Sequence, residues 1–494
     1  MIKSWLDGQC WDRFWEFDKS EIEGKLEVVQ FLKLYGLFMK GEKSATEVNF
    51  DDTGKKIDLP AIPNPYLNYL RTLLEDLLKV EDNNESCKGG DPFLLQLLGM
   101  IYSRLNMKLN AIQYLIFSLQ KFPYNWLAIE ELINLIDNSN LMPQLTQNLP
   151  QSFIIQFLKL KLILEFNTTE KLKFWEIYTE LINLFPNSNY LIFQRALSFY
   201  HLRKFNQSKI IFETLYLQNP SILDYIDIYS NILYVLNETQ ALFQLTIKCT
   251  KLDKFRPETC KVLANFYSSQ NKHTEAIKYL YRALMLNSKD FSIWILLGHE
   301  YMELKNEQAA LQCYKNSTEY NSKDYRGWYG LGQIYELLTL YQYSLYSYQK
   351  SCTLNPDDSR AWASLAKIYL YLNQPNFAIS CFERSLECDE KLPFVTFRLG
   401  TLYRNSKNTE LAVKYFELAI SQNFYRDGLY SESELSSLYL YLAEYLFSKN
   451  EWTIDNMKII KGYLTRVMDL GCEEVEKART LMNYLASKEQ ETNQ

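Results

Sequence analysis

A 34-residue period constrains this chain more than any other feature of its sequence. The stretches that begin at Trp294, Trp328 and Trp362 read WILLGHEYMELKNEQAALQCYKNS, WYGLGQIYELLTLYQYSLYSYQKS and WASLAKIYLYLNQPNFAISCFERS. With Trp294 counted as position 4, the register holds without an insertion through five units, starting at 257, 291, 325, 359 and 393. A fixed period of this length is typical of repeat proteins, in which each unit packs only on its neighbours.

Small residues recur at three positions of the unit. Side chains larger than Gly, Ala or Ser would hold two helices apart, so these columns indicate close helix packing. Large residues at positions 4, 7, 11 and 24 then fill the space between helices. The small columns at positions 8, 20 and 27 are Ala264, Gly298, Gly332, Ala366 and Gly400; Ala276, Ala310, Ser344, Ala378 and Ala412; and Ala283, Ser317, Ser351, Ser385 and Ala419.

This is the pattern of the tetratricopeptide repeat (TPR), whose unit is a pair of antiparallel helices. It predicts an all-α fold, a right-handed α-solenoid in which stacking buries a continuous core. The same frame continues upstream, with units starting at 189 and 223 and another near 92. The predicted regions are an N-terminal helical region with polar loops (1–91), partly degenerate TPR units (92–188), a regular array (189–426) and a C-terminal helix pair with a frayed tail (427–494).

Composition excludes several other classes of protein. The net charge is −6 and there is no long basic block, so nucleic acid is not an expected partner. No apolar run is long enough for a membrane span, and the nine scattered Cys favour reduced thiols in the nucleus or cytoplasm. Polar, glycine-bearing stretches predict loops at 41–61 and 81–91.

The sequence predicts no enzyme, no cofactor and no metal site. The three histidines, His201, His273 and His299, stand in different units without metal-ligand spacing. Neither a phosphate-binding loop nor a nucleophile elbow is present. A TPR enzyme would also need a fused catalytic domain, and too few residues follow position 420 to form one.

Binding is expected on the concave groove, which positions 2, 5, 9 and 12 of each first helix line. These positions carry polar and aromatic side chains, which suit an extended peptide better than a metal or a small metabolite. The predicted groove residues are Lys261, Asn265, His299, Arg326, Tyr329, Gln333, Glu336, Arg360 and Lys367.

One TPR subclass grips the C-terminal carboxylate of heat-shock chaperones. Lys261 and Asn265 match that clamp, but Leu296 and Gly330 replace two of its polar residues. The clamp is therefore incomplete. A TPR adaptor of another intracellular assembly, in chaperone function, RNA processing or transport, stays open as the alternative function.

Several stretches go beyond a generic TPR. LLGHEYMELKN, KDYRGWYGLGQIYELL and VVQFLKLYGLFMKGEKS resemble the eighth-subunit family of the anaphase-promoting complex, or cyclosome, over roughly residues 28–420. The resemblance implies a non-catalytic scaffold of this cullin–RING ubiquitin ligase, acting in the cell cycle, cell division and mitotic exit. It also implies partnership with other TPR and scaffold subunits, and a groove for a short basic box near a coactivator N-terminus.

The chain departs from this family at its N-terminus. Family members generally carry a longer N-terminal TPR region that forms a homodimer, whereas about 27 residues precede VVQFLKLYG here. The expectation is a shortened, divergent protein or an incomplete gene product. Homodimerisation through the remaining N-terminal helices is left open.

Overall fold

The structure is a computed structural model. It describes residues 26–47, 64–78, 91–136, 149, 152–165, 171–287, 290–388, 393–425, 431–449, 454–471 and 474–492. Over these residues the chain forms 24 α-helices and no strand. The predicted all-α class is confirmed.

The chain divides into two compact units, Met1–Ile211 and Phe212–Gln494. The division falls inside the helix Phe205–Gln218 rather than at a boundary predicted from sequence. The helices before it are Leu26–Glu47, Leu67–Leu78, Pro92–Arg104, Lys108–Lys121, Trp126–Leu135, Phe153–Glu165, Lys171–Leu184 and Asn189–His201.

The second unit contains the regular array. A first helix of 13 residues alternates with a second helix of 14 in the four units from 257 to 388. The helices are Ile226–Val235, Thr239–Leu252, Pro257–Ser269, His273–Leu286, Phe291–Glu303, Glu307–Tyr320, Tyr325–Leu337, Tyr341–Leu354, Ser359–Tyr371, Pro375–Cys388, Pro393–Asn405, Thr409–Tyr425, Glu432–Ser448, Ile454–Leu470 and Val475–Thr492. Below, each repeat is named by the number of its first residue.

The turn between the two helices has the same backbone geometry in every repeat from unit 189 to unit 393. Position 15 is left-handed in all seven, with φ between 56° and 63°. Unit 223, whose side-chain pattern is weak, keeps this turn. The residues are Arg203, Asn237, Asn271, Lys305, Thr339, Asn373 and Lys407.

Position 8 is small because a buried aromatic ring at position 24 lies against it. A Cβ placed on Gly332 would stand 2.6 Å from the ring of Tyr348, and one on Gly400 would stand 2.5 Å from the ring of Phe416. Tyr348 is fully buried. The predicted packing role of this column is thereby confirmed.

Two predictions about the ends of the chain are wrong. The predicted loop at 41–61 begins as helix, because Leu26–Glu47 continues through Gly41, where a Cβ would collide with the side chain of Asn64. The absence of a side chain at Gly41 lets Asn64 lie close to this helix, where its Nδ2 donates to the carbonyl of Phe38 at 3.1 Å. Residues 48–61 and 81–90 lie outside the described residues.

The C-terminal region holds three helices rather than a pair with a frayed tail. Gly471, at φ +66°, ends the helix Ile454–Leu470, as glycine commonly does at a helix C-terminus. The last helix, Val475–Thr492, then buries Ala478 and Leu485 in the core of this unit.

Candidate peptide-binding surface

In units 223 and 257, and again in units 291 and 325, the first helices of adjacent repeats contact each other directly. Ile226–Val235 contacts Pro257–Ser269, and Phe291–Glu303 contacts Tyr325–Leu337. Positions 2, 5, 9 and 12 of the first helices are here called the A-helix face. All nine groove residues predicted from the sequence occupy these positions on the first helices of units 257 to 359.

Asn265 belongs to a polar ladder between units 223 and 257. Its Nδ2 donates to Ser230 Oγ at 2.8 Å and to Asn231 Oδ1 at 2.7 Å. Ser268 Oγ continues the ladder by donating to Tyr234 OH at 3.3 Å. Asn265 is 6% exposed, so its amide is already engaged within the protein.

Lys261 is held by two carboxylates from two different repeats. Its Nζ lies 2.9 Å from Asp227 Oδ2, 2.6 Å from Asp290 Oδ2 and 2.9 Å from Ser292 Oγ. Burial alone would lower the pKa of Lys261, but the two carboxylates outweigh it and raise that pKa. Because an ammonium has three protons, these partners satisfy it fully.

The pKa of Asp290 is shifted in the opposite direction to that of Lys261. Burial acts to raise the pKa of its carboxyl group, yet Lys261 and the hydrogen bonds from Ser292 lower it below 3.8. The pair is therefore ionised at neutral pH. It ties unit 257 to the start of unit 291.

An N-cap aspartate precedes the first helix of three successive repeats. Asp290, Asp324 and Asp358 each accept the backbone N–H two residues on, at 2.9, 2.8 and 3.2 Å. Each also attracts a cation. Lys261 forms the ion pair with Asp290. Arg326 pairs with Asp324, with Nη2 2.6 Å from Oδ2, and Arg360 Nε lies 3.6 Å from Asp358 Oδ1.

His299 lies beside a fully buried tyrosine of the array. Tyr314, fully buried, stands against Gly298 of its own repeat and Gly330 of the next, and its hydroxyl is 2.7 Å from His299 Nδ1. The His299 side chain keeps solvent access, but the surrounding protein lowers its pKa below 6.5. The guanidinium groups of Arg326 and Arg360 lower this pKa further, so the imidazole is neutral at pH 7.

Tyr329, Gln333 and Glu336 follow one another along Tyr325–Leu337, all half-buried. Glu336 Oε2 accepts a hydrogen bond of 2.9 Å from the hydroxyl of buried Tyr348. The Tyr329 ring packs 5.6 Å from the Tyr348 ring and lies under the guanidinium of Arg360, at 5.9 Å. Glu336 is the one carboxylate among the nine predicted residues.

Lys367 contacts the next repeat. Its Nζ lies 4.7 Å from the centroid of the Phe394 ring. Arg398, which the sequence prediction missed, lies 5.2 Å from the same ring. The prediction also missed Asp290, Asp324 and Asp358, although their recurrence at position 34 was visible as a column.

The nine predicted residues differ in which partners their side chains already have within the protein. Lys261, Asn265 and Arg326 are bound to neighbouring side chains, while Arg360 and Lys367 lie over aromatic rings. Contact of any of them with a peptide stays a prediction. Within the described ranges, no group of three or more His, Cys, Asp or Glu side chains is arranged to hold a metal ion, and no helix has the length and apolarity to cross a membrane.

Three family models match parts of the chain. Residues 2–196 match the family described as anaphase promoting complex subunit 8 / Cdc23. Residues 214–355 match ChAPs, the Chs5p-Arf1p-binding proteins. Residues 359–392 and 397–424 match the tetratricopeptide repeat.

Curated relatives carry the same subunit name. Anaphase-promoting complex subunit 8 of Dictyostelium discoideum is 38% identical over 230 residues, covering 46% of this chain and 38% of the relative. Subunit 8 of Arabidopsis thaliana is 33% identical over 310 residues, covering 63% and 51%. Subunit CDC23 of Saccharomyces cerevisiae is 28% identical over 341 residues, covering 58% and 54%. The chain spans about half the length of these relatives, or less.

A solved structure shares the fold. The chain in the crystal structure of the APC/C hetero-tetramer Cut9-Hcn1 matches with a TM-score of 0.66 at 16% identity, covering 98% of this chain and 88% of that one. At this identity the likeness shows the TPR solenoid fold alone. The subunit 8 model and the curated relatives add that parts of the chain are similar to the anaphase-promoting complex subunit 8/Cdc23 family.

Proposed function

We propose that this chain is a non-catalytic scaffold subunit of an anaphase-promoting complex. In this role it binds other TPR and scaffold subunits and supports cell-cycle ubiquitination and mitotic exit, in the nucleus and cytoplasm. The observation that carries the proposal is the subunit 8 match over residues 2–196, together with the subunit 8 relatives.

The packing of the array supports a scaffold role. The recurring residues at positions 8, 20, 24 and 27 are buried between helices, so the repeat pattern is accounted for by stacking. What remains for partners is an extended surface of polar and aromatic side chains. Such surfaces suit peptides and neighbouring subunits.

The A-helix face of unit 325 is the part we propose for a coactivator's basic box. A guanidinium from the peptide needs a carboxylate and an aromatic face. Glu336 and Tyr329 supply these from positions about two turns apart on one helix. The other carboxylates nearby, Asp324 and Asp358, already hold Arg326 and Arg360, so Glu336 is the anchor in this proposal.

Depletion of the chain from its own cells tests the scaffold role. We expect cells to arrest before anaphase and ubiquitination of mitotic substrates to fall, with re-expression of the unaltered chain restoring both. Mitotic exit at the normal time, with substrate ubiquitination unchanged, would overturn the proposal.

A second function is favoured by one observation. The ChAPs model covers residues 214–355, which lie in the second unit, and its description concerns proteins that bind Chs5p and Arf1p. An adaptor role in transport is the corresponding alternative. It is the weaker candidate because this match spans less than a third of the chain, and the curated relatives carry the subunit 8 name.

A further inference from the structure

A group of cations lies on the first helices of units 359 and 393. Lys367 Nζ and the Arg398 guanidinium stand 4.7 and 5.2 Å from the centre of the same Phe394 ring. The two charges are therefore at most about 10 Å apart, which is close to the Debye length at physiological salt. Arg404, on the same helix as Arg398, lies 5.0 Å from the Tyr441 ring.

These cations differ from the others on the A-helix face. Lys261, Arg326 and Arg360 each lie beside an N-cap aspartate. Across the described part of the chain, Lys367, Arg398 and Arg404 contact aromatic rings and form no ion pair. Within the described ranges, none of the three is therefore ion-paired with a carboxylate.

The sequence shows why no N-cap aspartate of this series accompanies these cations. Asp290, Asp324 and Asp358 recur at 34-residue intervals, but Leu392 occupies the next position in the series. Unit 393 thus has no aspartate at the position that caps the first helix in the three preceding repeats. Its first helix nevertheless carries two arginines, and the neighbouring helix adds Lys367.

An aromatic surface lies between the two charges. Phe394 is 38% exposed, so part of its ring is accessible to a ligand. Lys367 and Arg398 repel each other across it, and the ring faces attract but do not neutralise them. An anion placed beside the ring would relieve the repulsion and gain charge-assisted hydrogen bonds.

We propose that Lys367, Phe394 and Arg398, with Arg404 beside them, form an acidic-peptide subsite. It takes an extended segment with two Asp or Glu residues about three positions apart, because helices pack about 10 Å apart and an extended chain advances about 3.3 Å per residue. An apolar residue between the two acids covers Phe394. The subsite goes beyond the proposed function, whose basic box was assigned to Tyr329 and Glu336.

Fluorescence anisotropy with the full chain tests this subsite. The probe is a fluorescein-labelled Gly-Ser peptide carrying Leu between two Glu, compared with peptides in which Lys or Gln replaces both Glu. We expect the Glu peptide to bind best, and its affinity to fall as salt rises from low to physiological concentration.

Two double variants locate the binding. Lys367→Gln with Arg398→Gln should weaken the Glu peptide about tenfold or more, since each removes a charged contact. The matched control, Lys350→Gln with Arg384→Gln, removes the same charge from exposed positions on second helices and should stay within about twofold of the parent protein.

Both variants should melt at the temperature of the parent protein, because the four side chains are exposed or half-buried. Equal binding of the three peptides would overturn the subsite. So would an equal loss in both double variants, which would indicate nonspecific attraction. Neither result would bear on membership of the ligase, which co-purification decides.

Discussion

At the scale of single residues, position 15 is the most regular backbone feature of the array, yet no residue type dominates it. Seven repeats place Arg, Lys, Thr or Asn there in the left-handed conformation. Asn tolerates this region well, whereas a β-branched residue is strained in it. Thr339, at φ 61°, is therefore the least suited of the seven.

Replacing Thr339 by Asn should stabilise the protein. The change imports the residue that units 223, 257 and 359 carry at this position, so we expect the free energy of unfolding to rise by about 1 kcal/mol. Thermal unfolding measures it. The reverse change, Asn373→Thr, should lower the melting temperature, and a rise there would contradict the account.

Gly332→Ala should destabilise the protein although alanine is the better helix former. The new Cβ would stand 2.6 Å from the ring of fully buried Tyr348, so we expect a loss of about 2 kcal/mol from overpacking. Gly462→Ala is the control. It also lies within a helix, but nothing is within 4 Å of its Cβ, so helix propensity should stabilise it by about 0.5–1 kcal/mol. Equal effects at the two sites, read from their melting temperatures, would refute the packing register.

The small columns were predictable from sequence, whereas position 15 was not. Only Gly, Ala or Ser fits at positions 8, 20 and 27, so these small residues recur visibly in the sequence. A left-handed turn residue is tolerated at a modest cost by many residue types. Position 15 therefore shows no recurring residue type from which the turn could be predicted.

At the scale of elements, buried polar side chains join the first helices of successive repeats. The ion pairs of Lys261 link unit 257 to the repeats on both sides, through Asp227 and Asp290. Sequence reasoning placed Lys261 on the groove as a ligand-binding cation. It could not reveal the two partners, because Asp227 and Asp290 lie 34 and 29 residues away along the chain and only the fold brings them to Lys261.

Lys261→Met should lower the free energy of unfolding at pH 7 by about 3 kcal/mol. Two carboxylates would lose their buried partner, and one-sided removal of a buried pair is costly. Chemical denaturation measures the loss. Lys278→Met is the control, because Lys278 and its partner Glu275 are both exposed, and its effect should be near zero.

The pH dependence of Lys261→Met should have the opposite sign to that of the parent protein. In the parent, the lowered pKa of Asp290 contributes stability above pH 3.8 that is lost as the pH falls through the folded pKa, and the raised pKa of Lys261 contributes stability below pH 10.5 that is lost at higher pH. Without Lys261, burial is the main influence on Asp290 and raises its pKa. The deficit of the variant should therefore shrink as the pH falls from 7 towards 4. A deficit that stays constant over this range would contradict the pairing.

Glu336→Gln should weaken a basic coactivator-box peptide about threefold to tenfold without unfolding the array. The amide oxygen still accepts the hydrogen bond from Tyr348, while the negative charge is lost. Glu319→Gln, an exposed change on a second helix, is the matched control. Peptide affinity measured by anisotropy decides, and equal affinities in the two variants would remove Glu336 from the proposed site.

Helix ends were the least predictable elements. Gly41 marks a close approach by Asn64 rather than a loop, and Gly471 marks a helix C-terminus inside a region assigned to one helix pair. A glycine in the sequence can stand in a loop, at a close contact or at a helix C-terminus, and the neighbouring residues do not tell these roles apart. The distinction comes from tertiary contacts, which a single sequence does not display.

At the scale of the whole molecule, charge is distributed unevenly despite the net value of −6. Lys261, Arg326 and Arg360 lie beside aspartates at helix N-termini, whereas Lys367 and Arg398 lie beside the ring of Phe394. The proposed basic-box and acidic-peptide subsites therefore lie on successive repeats. The similarity to the subunit 8 family, by contrast, rests on residues 2–196 and on the curated relatives rather than on any one site.

The most direct test of the central claim is affinity purification of the tagged chain from its own cells, followed by mass spectrometry. The account predicts recovery of several other TPR subunits, a cullin-like protein and a RING protein in stable amounts. Recovery of a different stable assembly, without the cullin-like and RING proteins, would leave the solenoid intact and contradict the proposed function.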